Sequence, residues 1–363
     1  MKEECCDVCI YHTLVSKGAI ETGKLKVLCT NVMSKNCGKE FERNHVCSDY
    51  KGQGGILVMS KMNREAILKL SNEINKKEGE GMLYSLGSKN ANLVIPRWST
   101  GIPDLDAVIG GGMPEGRVIE IYGPESAGKT SLAYHMCGLQ EMCLVEPIEG
   151  SFSAERARVF GNRPKQMLIY RANYGEDAFN KAIKYAQLGI PLIVIDSVPS
   201  MQPKEDVDKI LSAVNKDAEI EARIGGIARL MTKYLPVLES VIEQTGTTVI
   251  FINQIRDKMG MVMPFGDTTT TPGGHKLKHA CSIRIQVNRK QWIDIPNKNP
   301  FNTAAKERIG IIMKCKIVKS KVSNPGGECE IPILFDRGFV PFSQLDDARK
   351  EIMKERREQY KVK

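Results

Sequence analysis

The chain has 363 residues, 42% hydrophobic and 26% charged, enough to bury one substantial core and carry one or two appendages. No apolar window approaches the length that spans a bilayer, and the start MKEECCDVC lacks the apolar stretch of a secretory signal, so a membrane-spanning or secreted protein is not expected. A net charge of +9 favours an anionic partner, because Lys and Arg gain affinity by displacing counterions from phosphate.

Residues 1–50 form a cysteine-rich head holding six of the eleven cysteines: Cys5, Cys6, Cys9, Cys29, Cys37 and Cys47. Disulfides are uncommon in a chain without a secretion signal, so the cluster points to metal. Cys6 and Cys9 make a CxxC, and Cys29, Cys37 and Cys47 can complete a tetrahedral thiolate site for structural Zn2+, with His12 or His45 in reserve. Free thiols or a redox role are the alternative. Residues 51–62, opening on KGQGG, read as a flexible linker.

In residues 63–90, Ile67, Leu68, Leu70 and Ile74 recur at helical spacing over Asn63 to Lys77, GEG stops the helix, and a short strand is expected around Met82 to Leu86. Residues 91–342 then alternate apolar runs (VIEIYG, MCLVEPIE, MLIYR, PLIVIDS, TTVIFINQ) with helices starting near Lys129, Ser153, Glu176 and Ile227. That alternation predicts an α/β fold with a mostly parallel sheet covered on both faces. SIRIQVNR, IIMKCKIVKSK and CEIPILF follow too closely for crossover helices and are expected to be antiparallel at one sheet edge. Residues 343–363 read as a basic, exposed, fraying helix.

GPESAGKT, from Gly123 through Pro124, Glu125, Ser126, Ala127 and Gly128 to Lys129 and Thr130, follows a strand and opens an apolar helix, the context a P-loop needs. Its backbone N–H groups can ring the phosphates of ATP, Lys129 can reach the outer ones, and Thr130 can take Mg2+. A Gly-rich turn of the same pattern is the bland reading. PLIVIDS ends in Asp196, placed to hold Mg2+ through water or merely to cap a turn. MCLVEPIEG offers Glu146 and Glu149; Glu149, beyond the apolar run, is the better candidate to orient the attacking water. TTVIFINQIR delivers Asn253, Gln254 and Arg256 to the same edge, where an amide can report a γ-phosphate. The following DKMGMVMPFGDTTTTPGG, with Lys258 interleaved among Met259, Met261, Met263 and Phe265, suits a loop that orders on nucleic acid.

In order and spacing, STGIPDLDAVIGGGMPEGRVIEIYGPESAGKTSLAYH, LIVIDSV, FINQIRDKMG and TPGGHKLKHACSIRI resemble the signature segments of the RecA recombinase family, over about Asn63 to Phe342. The resemblance implies a DNA-dependent ATPase that polymerises on single-stranded DNA as a helical filament, pairs it with double-stranded DNA, and works in the cytoplasm of a bacterium or a phage-infected host, near the nucleoid. It implies that Lys129 and Thr130 hold phosphates and Mg2+, Asp196 completes the Mg2+ shell, Glu149 directs the water, and Gln254 links the γ-phosphate to DNA. Lys319 and Lys321 match a pair that reaches the ATP of the neighbouring subunit; by sequence alone they are a solvated charged strand. The 63–90 unit would be the polymerisation element. The DNA loops would lie between Pro203 and Gly226, with Arg229 close to DNA, and from Arg256, Lys258 and Met259 to Gly273 and Gly274.

Four departures accompany the likeness. Arg156 stands where the family commonly stacks an aromatic residue on adenine; a guanidinium can stack there instead. The first loop region is long and carries an extra helix in DVDKILSAVNKDAEIEARI. A short basic tail stands in place of the family's C-terminal domain, a trait of phage-type members, and the cysteine-rich head is additional. A RadA-like ring helicase or branch-migration motor is the alternative, although no Lon-like domain follows and KIVKSK departs from the KNRFG-type motif. A regulatory DNA-binding protein with a nucleotide switch is the non-enzymatic one.

Overall fold

The structure is a computed structural model describing residues 63–78, 83, 94–214, 225–257, 269–297 and 306–361, with the backbone of three short strands before them. The chain divides into two compact units, Met1–Ala91 and Asn92–Lys363. In the first, β1 (Tyr11–His12), β2 (Lys26–Cys29) and β3 (Glu40–Glu42) form an antiparallel sheet, and α1 runs Arg64–Glu78 with Ile67, Leu68 and Leu70 exposed. Cys6, Cys9, Cys37 and Cys47, and the strand expected around Met82 to Leu86 apart from Leu83, lie outside the described residues.

In the second unit, β4 (Arg97–Trp98) pairs with β5 (Met113–Pro114) around α2 (Pro103–Ile109). Then come β6 (Val118–Gly123), α3 (Lys129–Gly138), β7 (Cys143–Pro147), α4 (Ala154–Val159), β8 (Met167–Ile169), α5 (Gly175–Gln187) and β9 (Leu192–Asp196). Helices α6 (Lys204–Val214) and α7 (Gly226–Thr245) precede β10 (Thr248–Gln254). A two-strand ribbon, β11 (Arg256–Asp257) with β12 (Thr269–Thr270), leads to α8 (Gly274–Ala280). The chain ends with β13 (Ile283–Pro296), β14 (Lys306–Ser320), β15 (Glu328–Leu334), β16 (Gly338–Phe339) and α9 (Phe342–Lys361).

Nine strands form the main sheet in the order β16-β15-β14-β13-β6-β10-β9-β7-β8. From β13 to β8 all neighbours are parallel, and β13 through β16 pair antiparallel, so the sheet is α/β and mostly parallel, with an antiparallel edge. β6, β7 and β9 are buried along their whole length, which is why their sequences are unbroken apolar runs rather than alternating ones. Ile119, Ile121 and Leu132 pack in the core on one side of the sheet, Phe179, Phe251 and Leu235 in that on the other.

The C-terminal helix departs from its expected exposure. Ile352 of α9 is 2% exposed and Ala348 is buried, both packed with Ile293, Ile295, Ile309, Ile312 and Leu334 of the antiparallel strands. Arg337 pairs with Glu351 and Glu355, and Arg356 with Glu307 and Asp336. The charges that make the segment read as a solvated tail fix one face of a docked helix.

Candidate nucleotide site

Strand register builds the site. Gln254 lies opposite Gly123 across β10 and β6, while Asp196 lies opposite both Ile252 of β10 and Pro147 of β7. The carboxyl ends of four parallel strands therefore stop within two residues of one another, at the edge where such sheets bind ligands.

The P-loop turns off β6 at Gly123. A Cβ there would stand 2.0 Å from the carbonyl oxygen of Val287, so only glycine lets β13 run this close. Gly128, at φ +96°, is the N-cap of α3 and offers no side chain to the helix's first N–H groups. Those donors, with Ser126 also at positive φ, leave an electropositive concavity at a helix start, which suits phosphate.

Lys129 folds back over the loop, donating to the carbonyl oxygens of Gly123 (3.1 Å) and Pro124 (2.8 Å). Burial lowers its pKa, and the charges of Asp196, Glu149 and Glu125 oppose that shift. Thr130 Oγ1 donates to Asp196 Oδ2 at 2.9 Å. Burial pushes Asp196 up to about 6; the Thr130 hydrogen bond lowers it, Glu149 raises it, and Lys129 lowers it. A hydroxyl against a buried carboxylate at the mouth of a phosphate loop is a donor set of the hard oxygens that Mg2+ prefers, so the residues fit that ion.

The two candidate glutamates separate clearly. Glu146 is wholly buried and neither oxygen has a hydrogen-bond partner among the described residues. Burial, helped by Asp177 and opposed by Lys181, pushes its carboxyl up to about 9, so it is neutral at pH 7. Glu149 is exposed at the sheet edge, where its Oε1 accepts from Gln254 Nε2 at 2.9 Å and from the Ser197 hydroxyl. Arg156 donates to the Phe335 carbonyl (2.7 Å) and Ser131 Oγ (3.3 Å), and its guanidinium lies 5.0 Å from the Phe160 ring.

Of the residues expected to meet DNA, Lys258 and Met259 lie outside the described residues. Arg256 is exposed on β11, and the pairing of Asp257 with Thr269 brings the two ends of the 258–268 stretch together. Gly273 is the N-cap of α8. A Cβ on Gly274 would come 3.0 Å from Ala228, so the start of α8 abuts the first turn of α7, where Arg229 is exposed. The feet of both expected loops thus meet on one side of the site.

Lys319 and Lys321 lie apart from the P-loop contacts of their own chain. Lys319 donates to the carbonyls of Lys278 (2.5 Å) and His279 (3.1 Å), and Lys321 to Ala280 (3.4 Å). Both ammoniums cap the C-terminus of α8, where cations are favoured by the exposed carbonyls.

Two groups escape a reading by motif. Ser197 directly follows Asp196 and orients Glu149. Glu120, inside VIEIYG, is ion-paired with Arg284, inside SIRIQV. Charges at interior positions of apolar strands are the signal, since such groups are rarely buried unpaired.

Residues 65–340 match the family model described as the RecA N-terminal domain. Over 297 residues the chain is 35% identical to Protein RecA of Wolinella succinogenes, covering 80% of this chain and 79% of that protein. It is 36% identical over 292 residues to Protein RecA of Sulfurimonas denitrificans, covering 78% and 79%. With Protein RecA of Ruminococcus albus it shares 34% over 286 residues, covering 77% and 67%.

Proposed function

Since this chain belongs to the RecA family, we propose how its own residues run that family's reaction. The protein is a RecA-like recombinase, a DNA-dependent ATPase that acts on single-stranded DNA in strand exchange and repair. Lys129 and the loop amides hold the triphosphate, Thr130 and Asp196 hold Mg2+, and Glu149 takes the proton of the attacking water. When bound, Mg2+ draws charge from the phosphates and so lowers the barrier to their transfer. Gln254 leaves Glu149 to donate to the γ-phosphate, which frees the carboxylate to act as base and moves the foot of β11.

The observation that carries this reading is the 2.9 Å bond between Glu149, a base just past β7, and Gln254, a sensor at the end of the strand that leads directly into β11. The test is ATP hydrolysis with and without single-stranded DNA, with electron microscopy of the same sample. Turnover rising at least about ten-fold with DNA, on filaments, is expected. Hexameric rings or DNA-independent turnover would sink it.

Filament assembly gives roles to the exposed apolar residues of α1, as the polymerisation surface, and to Lys319 and Lys321, which complete the neighbour's nucleotide site. Arg229, Arg256, Lys258, Met259, Gly273 and Gly274 contact DNA, and Arg156 faces adenine. The head is proposed to hold structural Zn2+ on four of Cys6, Cys9, Cys29, Cys37 and Cys47, because so short a segment lacks the apolar core to fold unaided. One zinc per chain is expected by elemental analysis, lost in the Cys6→Ser/Cys9→Ser variant; a metal-free wild type overturns it.

A further inference from the structure

We infer that Glu120, Asn253 and Arg284 form a buried polar clamp that transmits the state of Gln254 to the foot of the β11–β12 ribbon, making Glu120 a positioning residue for DNA-stimulated hydrolysis. The inference rests on the DNA-dependent ATPase reading above and concerns how its two halves are joined.

Glu120 is fully buried in the middle of β6, three residues before the P-loop. Its Oε1 accepts from Asn253 Nδ2 at 2.8 Å, and its Oε2 is ion-paired with Arg284 Nε. Each partner then reaches the ribbon's return strand. Asn253 Nδ2 also donates to the Pro272 carbonyl at 2.9 Å, and Arg284 Nη2 donates to Thr271 Oγ1 at 3.2 Å. On its other side, Asn253 Oδ1 accepts from the backbone N–H of Gln254 at 2.9 Å. One connected network therefore runs from the γ-phosphate reporter to the two residues that leave β12.

A buried ion pair is weak evidence for a stabilising device, since apolar residues of similar volume often serve stability equally well. What it supplies here is stiffness with direction. Asn253 and Arg284 are tied to the two oxygens of one carboxylate, and each is also bonded to the return strand, so a shift of Asn253 loads its bonds to Glu120 and Pro272 together. The guanidinium is further fixed 4.7 Å over the Tyr122 ring, which closes the network on the P-loop strand itself. Glu120, wholly buried within β6, acts through Asn253 and Arg284, and its effect falls on the communication between nucleotide and DNA.

The test is steady-state ATP hydrolysis by the full chain, with and without oligo-dT, for wild type, Glu120→Gln and Thr271→Val. In Glu120→Gln, DNA-free turnover is expected to stay within about two-fold of wild type while the stimulation ratio falls about ten-fold, within the usual range of coupling between sites. Thr271→Val, which removes one hydroxyl at constant shape, is expected to lower the ratio by a smaller factor. If circular dichroism shows that Glu120→Gln does not fold, the ratio of Thr271→Val decides alone. Unchanged ratios in folded variants overturn the clamp, as does a parallel fall of stimulated and DNA-free rates, the mark of a merely structural role. A wild type that DNA does not stimulate overturns the DNA-dependent reading itself, and the clamp with it.

Discussion

Lys129→Ala is expected to lower ATP turnover by about 10^3-fold or more and to abolish strand exchange, the magnitude typical of removing a preorganised charge from a phosphoryl-transfer site. Lys129 lies within the electrostatic reach of Asp196, Glu149 and Glu125, and without its ammonium those carboxylates would face a polyanionic substrate. Alanine also releases the carbonyls of Gly123 and Pro124, which the lysine now holds, so the loop loses order as well as charge. Nucleotide affinity should therefore weaken along with the rate, measured by equilibrium binding of a fluorescent ATP analogue. Joint-molecule formation at the wild-type rate would show that phosphate is not held here.

Glu149→Gln is expected to behave differently, and the contrast separates binding from chemistry. A glutamine at this position keeps an oxygen that can accept from Gln254 and Ser197, so the local geometry survives while the proton acceptor is lost. Turnover should fall by about 10^2 to 10^4-fold, the usual contribution of a general base, with ATP affinity within about three-fold of wild type. Filaments formed with ATP should then persist on DNA instead of turning over. Multiple-turnover hydrolysis alongside nucleotide binding checks both halves; near-normal hydrolysis would place the base elsewhere. Glu146 cannot fill the gap, because its buried carboxyl is protonated at pH 7.

Much of this was legible in the sequence because it is local. The unbroken apolar runs gave the parallel strands, the P-loop carries its own strand-to-helix context, and Asp196 and Gln254 sit where apolar runs end. Register was not legible, and register is what sets Gln254 opposite Gly123 and Asp196 opposite Ile252, two residues short of them. Glu120 and Arg284 were visible as charges in apolar strands, but nothing in either segment names the other across 164 residues. Lys319 and Lys321 read as a solvated strand because the helix end they cap belongs to a distant stretch of chain. In α9, the apolar spacing of Leu345, Ala348 and Ile352 was present but outnumbered by charge, and only the ribbon beneath shows which face is inside.

That ribbon gives α9 a further significance. β13 pairs with β6 only over Ile283–Gln286, and β14 pairs with β15 only over Gly310–Lys316, so among the described residues the far part of the hairpin, around Ile295 and Glu307, has no flanking strand. Two-stranded ribbons do not hold themselves together in water. The helix covers this overhang, and a chain cut after Phe342 is expected to bare an apolar sheet surface prone to self-association.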